Sequence, residues 1–302
     1  MSLLETSSQS GVLSYLYFWR YLFLSMRPKQ WIKNAFIFAP ILFSGNLLNI
    51  QLLIRTTEVF VIFCFLSGGT YLINDFVDRE KDQYHPRKKY RPIAAGLLSP
   101  VLAVTAASVI LASSIFLAFV LSWKIGFISL AYMIQTIIYS FYLKQMVLVD
   151  VFVIALGFVL RTAAGAAAIM VPISVWLLIA ISLLSLFIAL CKRRHEIVIL
   201  DNATAHRGIL SEYSLVLLDQ LIATVTSATV VVYAIYTFVG AASPQLIYTV
   251  PLVLFGICRY LYLTYRQQDS GEPESLIVKD KPLAVTILLW SVICIAILYS
   301  PW

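Results

Sequence analysis

The chain has 302 residues, 61% of them hydrophobic and 12% charged, with a mean hydropathy of +0.88. A soluble domain is nearer half apolar with about a quarter charged, so a disordered chain and an ordinary soluble enzyme are both excluded. The formal charge of +7 fits Lys and Arg gathered in cytoplasmic loops rather than nucleic-acid binding. A membrane-crossing helix takes about 20 apolar residues. The apolar runs are long and unbroken, unlike the alternating ten-residue segments of a barrel. The expected fold is therefore all-α, a polytopic membrane protein of about nine transmembrane helices forming a single integral-membrane domain over 1–302.

In chain order, Met1 to Gly11 is polar and carries Glu5, unlike a signal peptide. Residues 12–26 are aromatic and apolar but too short to span, as in an interfacial helix. The basic stretch Arg27-Pro28-Lys29-Gln30-Trp31-Ile32-Lys33-Asn34 follows. Its Lys29 and Lys33, one turn apart, suit an interfacial anchor or a phosphate contact. Spans are predicted at 35–53, 57–76, 100–121, 125–143, 148–170, 173–193, 216–240, 246–265 and 282–300. Polar connections are expected at 77–99, 194–215 and 266–281. With the N-terminus cytoplasmic, almost every Lys and Arg falls on the inner side and only Arg55 and Lys124 on the outer, which puts the C-terminus outside. Nearly all acids share the inner side, so the chemistry gathers at one surface. Cys64, Cys191, Cys258 and Cys294 are not spaced as metal or redox pairs.

Where the second span ends, Asn74, Asp78 and Asp82 recur at i, i+4, i+8, and Asp75 joins Asp78 and Asp82 at i, i+3, i+7. On a helix these form one stripe. Ionised carboxylates so placed repel one another and call for a cation. Hard oxygen donors favour Mg²⁺, which keeps waters and bridges to substrate phosphates. The plainer reading is a solvated helix end neutralised by Arg79 and Lys81. The following loop, with Lys81, His85, Lys89 and Arg91 beside the acids, reads as anion-binding or as a positive-inside loop. Tyr142 and Lys144 end the fourth span, as a substrate contact or as an aromatic belt with a snorkelling lysine. Asp150 opens the fifth span and Arg161 lies three turns on, about 16 Å along the axis. The two cannot touch, so Arg161 needs a phosphate, an acid or a polar link from another helix.

Asn-Asp-x-x-Asp-x-x-x-Asp at 74–82, followed by Arg-Pro-Ile-Ala-x-Gly at 91–96, resembles the UbiA superfamily of intramembrane prenyltransferases over nearly the whole chain. The resemblance implies helices around a central cavity open to the cytoplasmic side, with Mg²⁺ on Asn74, Asp75, Asp78 and Asp82. Asp75, Asp78 and Asp82 would be the catalytic acids.

One departure is informative. Aromatic prenyltransferases of the superfamily carry a second acidic motif, Asp-x-x-x-Asp, after the sixth span. Here that place reads Leu190-Cys191-Lys192-Arg193-Arg194-His195-Glu196. Lys and Arg grip phosphate directly. Together with Arg27 to Asn34, Asn74 to Gly96, Tyr142-Leu143-Lys144 and the span from Asp150 to Gly165, the chain is similar to one branch in particular. That branch moves 5-phosphoribose from phosphoribosyl diphosphate onto a polyprenyl phosphate, a step toward lipid-linked pentose for the cell wall. The resemblance implies substrate-binding roles for Lys29, Lys33, Lys81, His85, Lys89, Arg91, Tyr142, Lys144, Asp150, Arg161, Lys192, Arg193 and Arg194, in a bacterial-type inner membrane. The other readings are a prenyltransferase whose lipid carries the diphosphate, and a non-enzymatic carrier of phosphorylated lipids.

Overall fold

The computed structural model describes residues 17–199, 208–266, 276 and 279–299, and the regular structure among them is helical throughout. The polar N-terminus with Glu5, residues 12–16 of the expected interfacial helix, and residues 200–207, 267–275 and 277–278 of the expected connections lie outside the described residues. Eight helices among the described residues are long and apolar enough to cross a membrane. The chain divides into two compact units.

The first unit comprises residues up to Lys33 and Val61–Phe141. Residues 17–25 form α1, which leaves Trp19 and Phe23 exposed, as an interfacial helix does. The long helix α3 (Ile50–Gln83) joins this unit at Val61. Thirty-four residues extend about 51 Å, well beyond a hydrocarbon core of about 30 Å. The acid stripe is on the last turns of this helix, which continues past the span end expected at 76. Two small residues let neighbours approach: a Cβ at Gly68 would lie 2.8 Å from Met26 of the α1 region, and one at Gly69 2.9 Å from Leu111. Helices α4 (Pro100–Leu121) and α5 (Trp123–Phe141) form a hairpin joined at Ser122 alone. Pro100 opens α4 at a position where its missing N–H is harmless. Leu22, Met26, Leu72, Ile93, Leu98, Ala103 and Ala107 make the core of this unit.

The second unit comprises Asn34–Phe60 and Tyr142–Trp302. The stretch expected to be the first span is built differently. Pro28–Phe38 is a 3-10 segment and α2 (Ala39–Phe43) is a single short helix, after which α3 begins at Ile50. Pro40, a positive φ at Gly45 and the Asn46 side chain bonding back to Ser44 break any longer helix here. The 3-10 segment rises about 2 Å per residue, so it covers more length per residue than an α-helix does.

Helix α6 (Val149–Ile169) buries a run of small residues including Ala155, Gly157, Ala164, Gly165, Ala166 and Ala168. Lipid competes with apolar side chains for apolar neighbours, so close packing of small residues holds membrane helices together. At Gly165 the approach is closest, since a Cβ there would stand 2.0 Å from the Ile37 carbonyl oxygen. Helix α7 (Val175–Ile199) runs past the span end expected at 193, supported by an i, i+3 ion pair from Arg193 to Glu196. Lys192, Arg193 and Arg194 are therefore inside a helix rather than at its end. Helix α8 (Leu215–Ile235) starts at a Ser214 cap that accepts from Leu217 N and ends in a π turn, Tyr236–Gly240. Helices α9 (Val250–Arg266) and α10 (Lys281–Tyr299) complete the unit.

Candidate active site

In the first unit, the acid stripe is cross-linked by arginines. Asp75 and Asp82 are buried on α3. Arg91 Nη1 donates to Asp75 Oδ1 at 3.0 Å and to Asp82 Oδ2 at 2.6 Å. Arg27, stacked 4.9 Å over the Tyr71 ring, pairs with the same Asp75 oxygen. Asn74 and Asp78 are half-buried beside them. Arg27 and Arg91 thus pair directly with the buried acids, and Lys88 adds positive charge near Asp82. Arg79 turns instead to Glu80 and the Phe76 ring, and Lys81 is exposed.

His85 builds the turn that carries Arg91 back: its Nδ1 accepts from Arg87 N and Lys88 N. Lys89 is exposed over Tyr90, Lys29 is exposed, and Lys33 donates to Gln30. The stripe and loop expected from sequence therefore do come together, through Arg91. Arg27 as an acid partner and Tyr71 as its platform were not expected. The only hint was the basic residue before Pro28.

The donors on this helix are all oxygen. Among the described residues no three His, Cys, Asp or Glu side chains converge into a closed metal cage. The two buried carboxylates nevertheless share one cationic group. Such a set suits a hard cation that keeps waters and takes further ligands from phosphate.

In the second unit, Asp150 is fully buried on the first turn of α6 and pairs with Arg193 Nη2 at 2.8 Å. Arg193 is itself buried and also pairs with Glu196. Tyr213, from the connection before α8, donates its hydroxyl to Asp150 Oδ1 at 2.8 Å and accepts from Leu148 N at 2.7 Å. Burial, then the bond to Asp150, pushes the Tyr213 phenol up to about 12, so it stays a donor. Sequence reasoning missed Tyr213, which lies in a stretch read only as a polar loop.

Arg194 stacks 3.9 Å over Tyr265 and donates to Asp219 at 2.6 Å, and Tyr265 donates to the same carboxylate. Lys192 is half-buried, Lys144 is 9% exposed, and Tyr142 is open. Arg161 finds a polar link: its Nε donates to Asn34 Oδ1 at 2.7 Å and its Nη1 to Gly157 O at 2.9 Å.

The class defined by this fold is an all-helical integral membrane protein with ionisable clusters toward the ends of its long helices. Residues 35–292 match the UbiA prenyltransferase family, and the chain belongs to that family. It is 33% identical over 282 residues to the decaprenyl-phosphate phosphoribosyltransferase of Corynebacterium glutamicum, covering 90% of this chain and 84% of that protein. It is 30% identical over 281 residues to the enzyme of the same name from Mycolicibacterium smegmatis, covering 88% of each. A solved UbiA homolog from Archaeoglobus fulgidus, bound to GPP and Mg²⁺, shares the fold with a TM-score of 0.71 at 19% identity, over 94% of this chain and 99% of that one.

Proposed function

We propose that the protein is a phosphoribosyltransferase of one integral-membrane domain that moves 5-phosphoribose from phosphoribosyl diphosphate to a polyprenyl phosphate. The observation that carries this reading is a buried acid cluster combined, in one chain, with the basic run Lys192-Arg193-Arg194 where the prenyltransferase pattern has acids. Whole-length similarity to two enzymes named for this activity supports it. The product would be a lipid-linked pentose of the kind a bacterial cell wall consumes.

In this reaction the bond from ribose C1 to the diphosphate oxygen breaks, and an oxygen of the polyprenyl phosphate forms the new bond to C1. Diphosphate leaves with the bonding electrons. The attacking phosphate is already anionic at neutral pH, so no general base is required. Asn74, Asp75, Asp78 and Asp82 would hold Mg²⁺, which when bound supplies positive charge to the departing diphosphate. Lys81, Lys89 and Arg91, with His85 through Nε2, bind the diphosphate oxygens. Lys29 and Lys33 hold the acceptor phosphate at the membrane surface. Lys144, Tyr142 and Lys192 bind phosphate in the second unit, on a frame made by Asp150, Arg161, Arg193 and Arg194. The distribution of Lys and Arg supports a cytoplasmic N-terminus and site and an outer C-terminus. An N-terminus inside and a C-terminus outside require an odd number of crossings, so the chain between Lys33 and α3 would cross once in addition to the eight long helices, giving nine.

The test is turnover by the purified protein in detergent with Mg²⁺, phosphoribosyl diphosphate and a polyprenyl phosphate, read by mass spectrometry of the lipid and by released diphosphate. Both products are expected, lost on chelation and in folded Asp78→Ala. Turnover only of a polyprenyl diphosphate with an aromatic acceptor would overturn the reading, and so would an absence of covalent product.

A further inference from the structure

The basic run on α7 contains a residue whose charge is directed inward. Arg193 is 3% exposed and its guanidinium meets two carboxylates, those of Asp150 and Glu196. A buried ion pair of this kind is tightly coupled: removing one partner leaves the other charged and enclosed, whereas removing both does far less harm.

Asp150 in turn receives the Tyr213 hydroxyl, and that same oxygen accepts the Leu148 N–H. Leu148 has φ +65° with ψ −41°, a backbone conformation outside the regions that side chains favour. A backbone held there must be fixed by its surroundings. Tyr213 and Asp150 supply that fixing. Leu148 closes the short connection whose 3-10 turn, Leu143–Gln145, carries Lys144, and this turn packs on the 3-10 turn Gly208–Ser211 just ahead of Tyr213. Lys144 is itself nearly buried, so its ammonium has little freedom to find its own place.

We propose that Arg193, Asp150 and Tyr213 are positioning residues: together they lock the 142–148 connection and thereby place Lys144, which binds a phosphate group of the substrate. Arg193 then acts through Asp150 rather than by touching phosphate. The identity of the anion rests on the phosphoribosyl-transfer reading, but the lock does not.

A double-variant cycle separates the two roles. The probe is inorganic phosphate, titrated calorimetrically into the full-length protein in detergent without divalent metal. If the residues position Lys144, Asp150→Asn and Arg193→Gln each weaken phosphate binding about tenfold, and the double variant is no worse than either alone. Lys144→Ala loses the same increment, and adding Arg193→Gln to it costs nothing more. Tyr213→Phe removes one oxygen and weakens binding about fivefold, which keeps the test open if a charge variant fails to fold.

A direct phosphate ligand behaves differently. Arg193→Gln would weaken phosphate binding while Asp150→Asn left it unchanged or tightened it, by releasing the guanidinium. That pattern overturns the proposal, as does wild-type affinity in Lys144→Ala or in Tyr213→Phe. Wild-type protein that shows the expected cycle but does not turn over phosphoribosyl diphosphate would refute the substrate and leave the lock standing.

Discussion

Arg91 and Asp82 meet at 2.6 Å across the turn that follows α3, and the same Arg91 nitrogen reaches Asp75 at 3.0 Å. Two buried carboxylates on one helix are held together by one cation from the loop. Arg91→Ala therefore removes charge compensation from both acids, beside the phosphate contact proposed for it. It is expected to lower stability by about 3 kcal/mol, with part of the loss recovered in Arg91→Ala/Asp82→Asn. Thermal unfolding in detergent checks this. Equal stability of the single and double variants would contradict it.

Gly165 faces backbone rather than a yielding side chain. A Cβ would lie 2.0 Å from the Ile37 carbonyl oxygen, so Gly165→Ala must push α6 away from the 3-10 segment. The expected cost is about 2 kcal/mol, an overpacking effect. Helix propensity alone would make Gly165→Ala stabilising, so an unfolding midpoint in detergent equal to or above wild type would contradict this account.

Arg161 donates to a neutral amide as well as to a backbone carbonyl. Asn34→Leu removes the oxygen that accepts from Arg161 Nε at 2.7 Å, at a cost of about 2 kcal/mol for a charged donor losing its acceptor. Asn34→Asp keeps an acceptor and should be better tolerated. Unfolding midpoints of the two variants decide it, and a midpoint for Asn34→Leu equal to wild type would count against this account.

Asp280 gives a pH dependence with a defined sign. It accepts two hydrogen bonds from Arg259 and caps α10 through Leu283 N at 2.9 Å. The bond from Arg259 first, and the Leu283 N–H with it, hold this carboxyl below the usual carboxylate range. A lowered folded-state pKa means stability that is complete above the unfolded value and lost as pH falls through the folded one. Wild type should thus outlast Asp280→Asn near neutrality, and the gap should close in acid. A gap that widens on acidification would contradict the assignment.

The long spans were legible because crossing a bilayer demands continuous apolar runs, and α4 coincides with its expected bounds, 100–121. The stripe at 74–82 was legible because helical spacing is fixed by backbone geometry. What was not legible came from tertiary contact. Residues 35–53 read as one apolar span, yet the 3-10 path there is matched to Gly165 and Arg161, more than a hundred positions away. Helices α3 and α7 outran their expected ends because charged residues found partners and continued the helix. Arg27 and Tyr213 were hidden for the same reason: a basic residue before a proline, or a tyrosine in a polar connection, acquires a role only from the acid it meets.

The hairpin of α4 and α5 turns on Ser122 alone, with Lys124 the second residue of the second helix. So short a turn offers no segment that could wait in water while one helix enters lipid without the other. During synthesis the pair must be handed to the bilayer as one object. Once there, it presents nothing that a protease or a glycan acceptor can reach, so labelling of single introduced cysteines is the practical way to map the side on which this turn emerges.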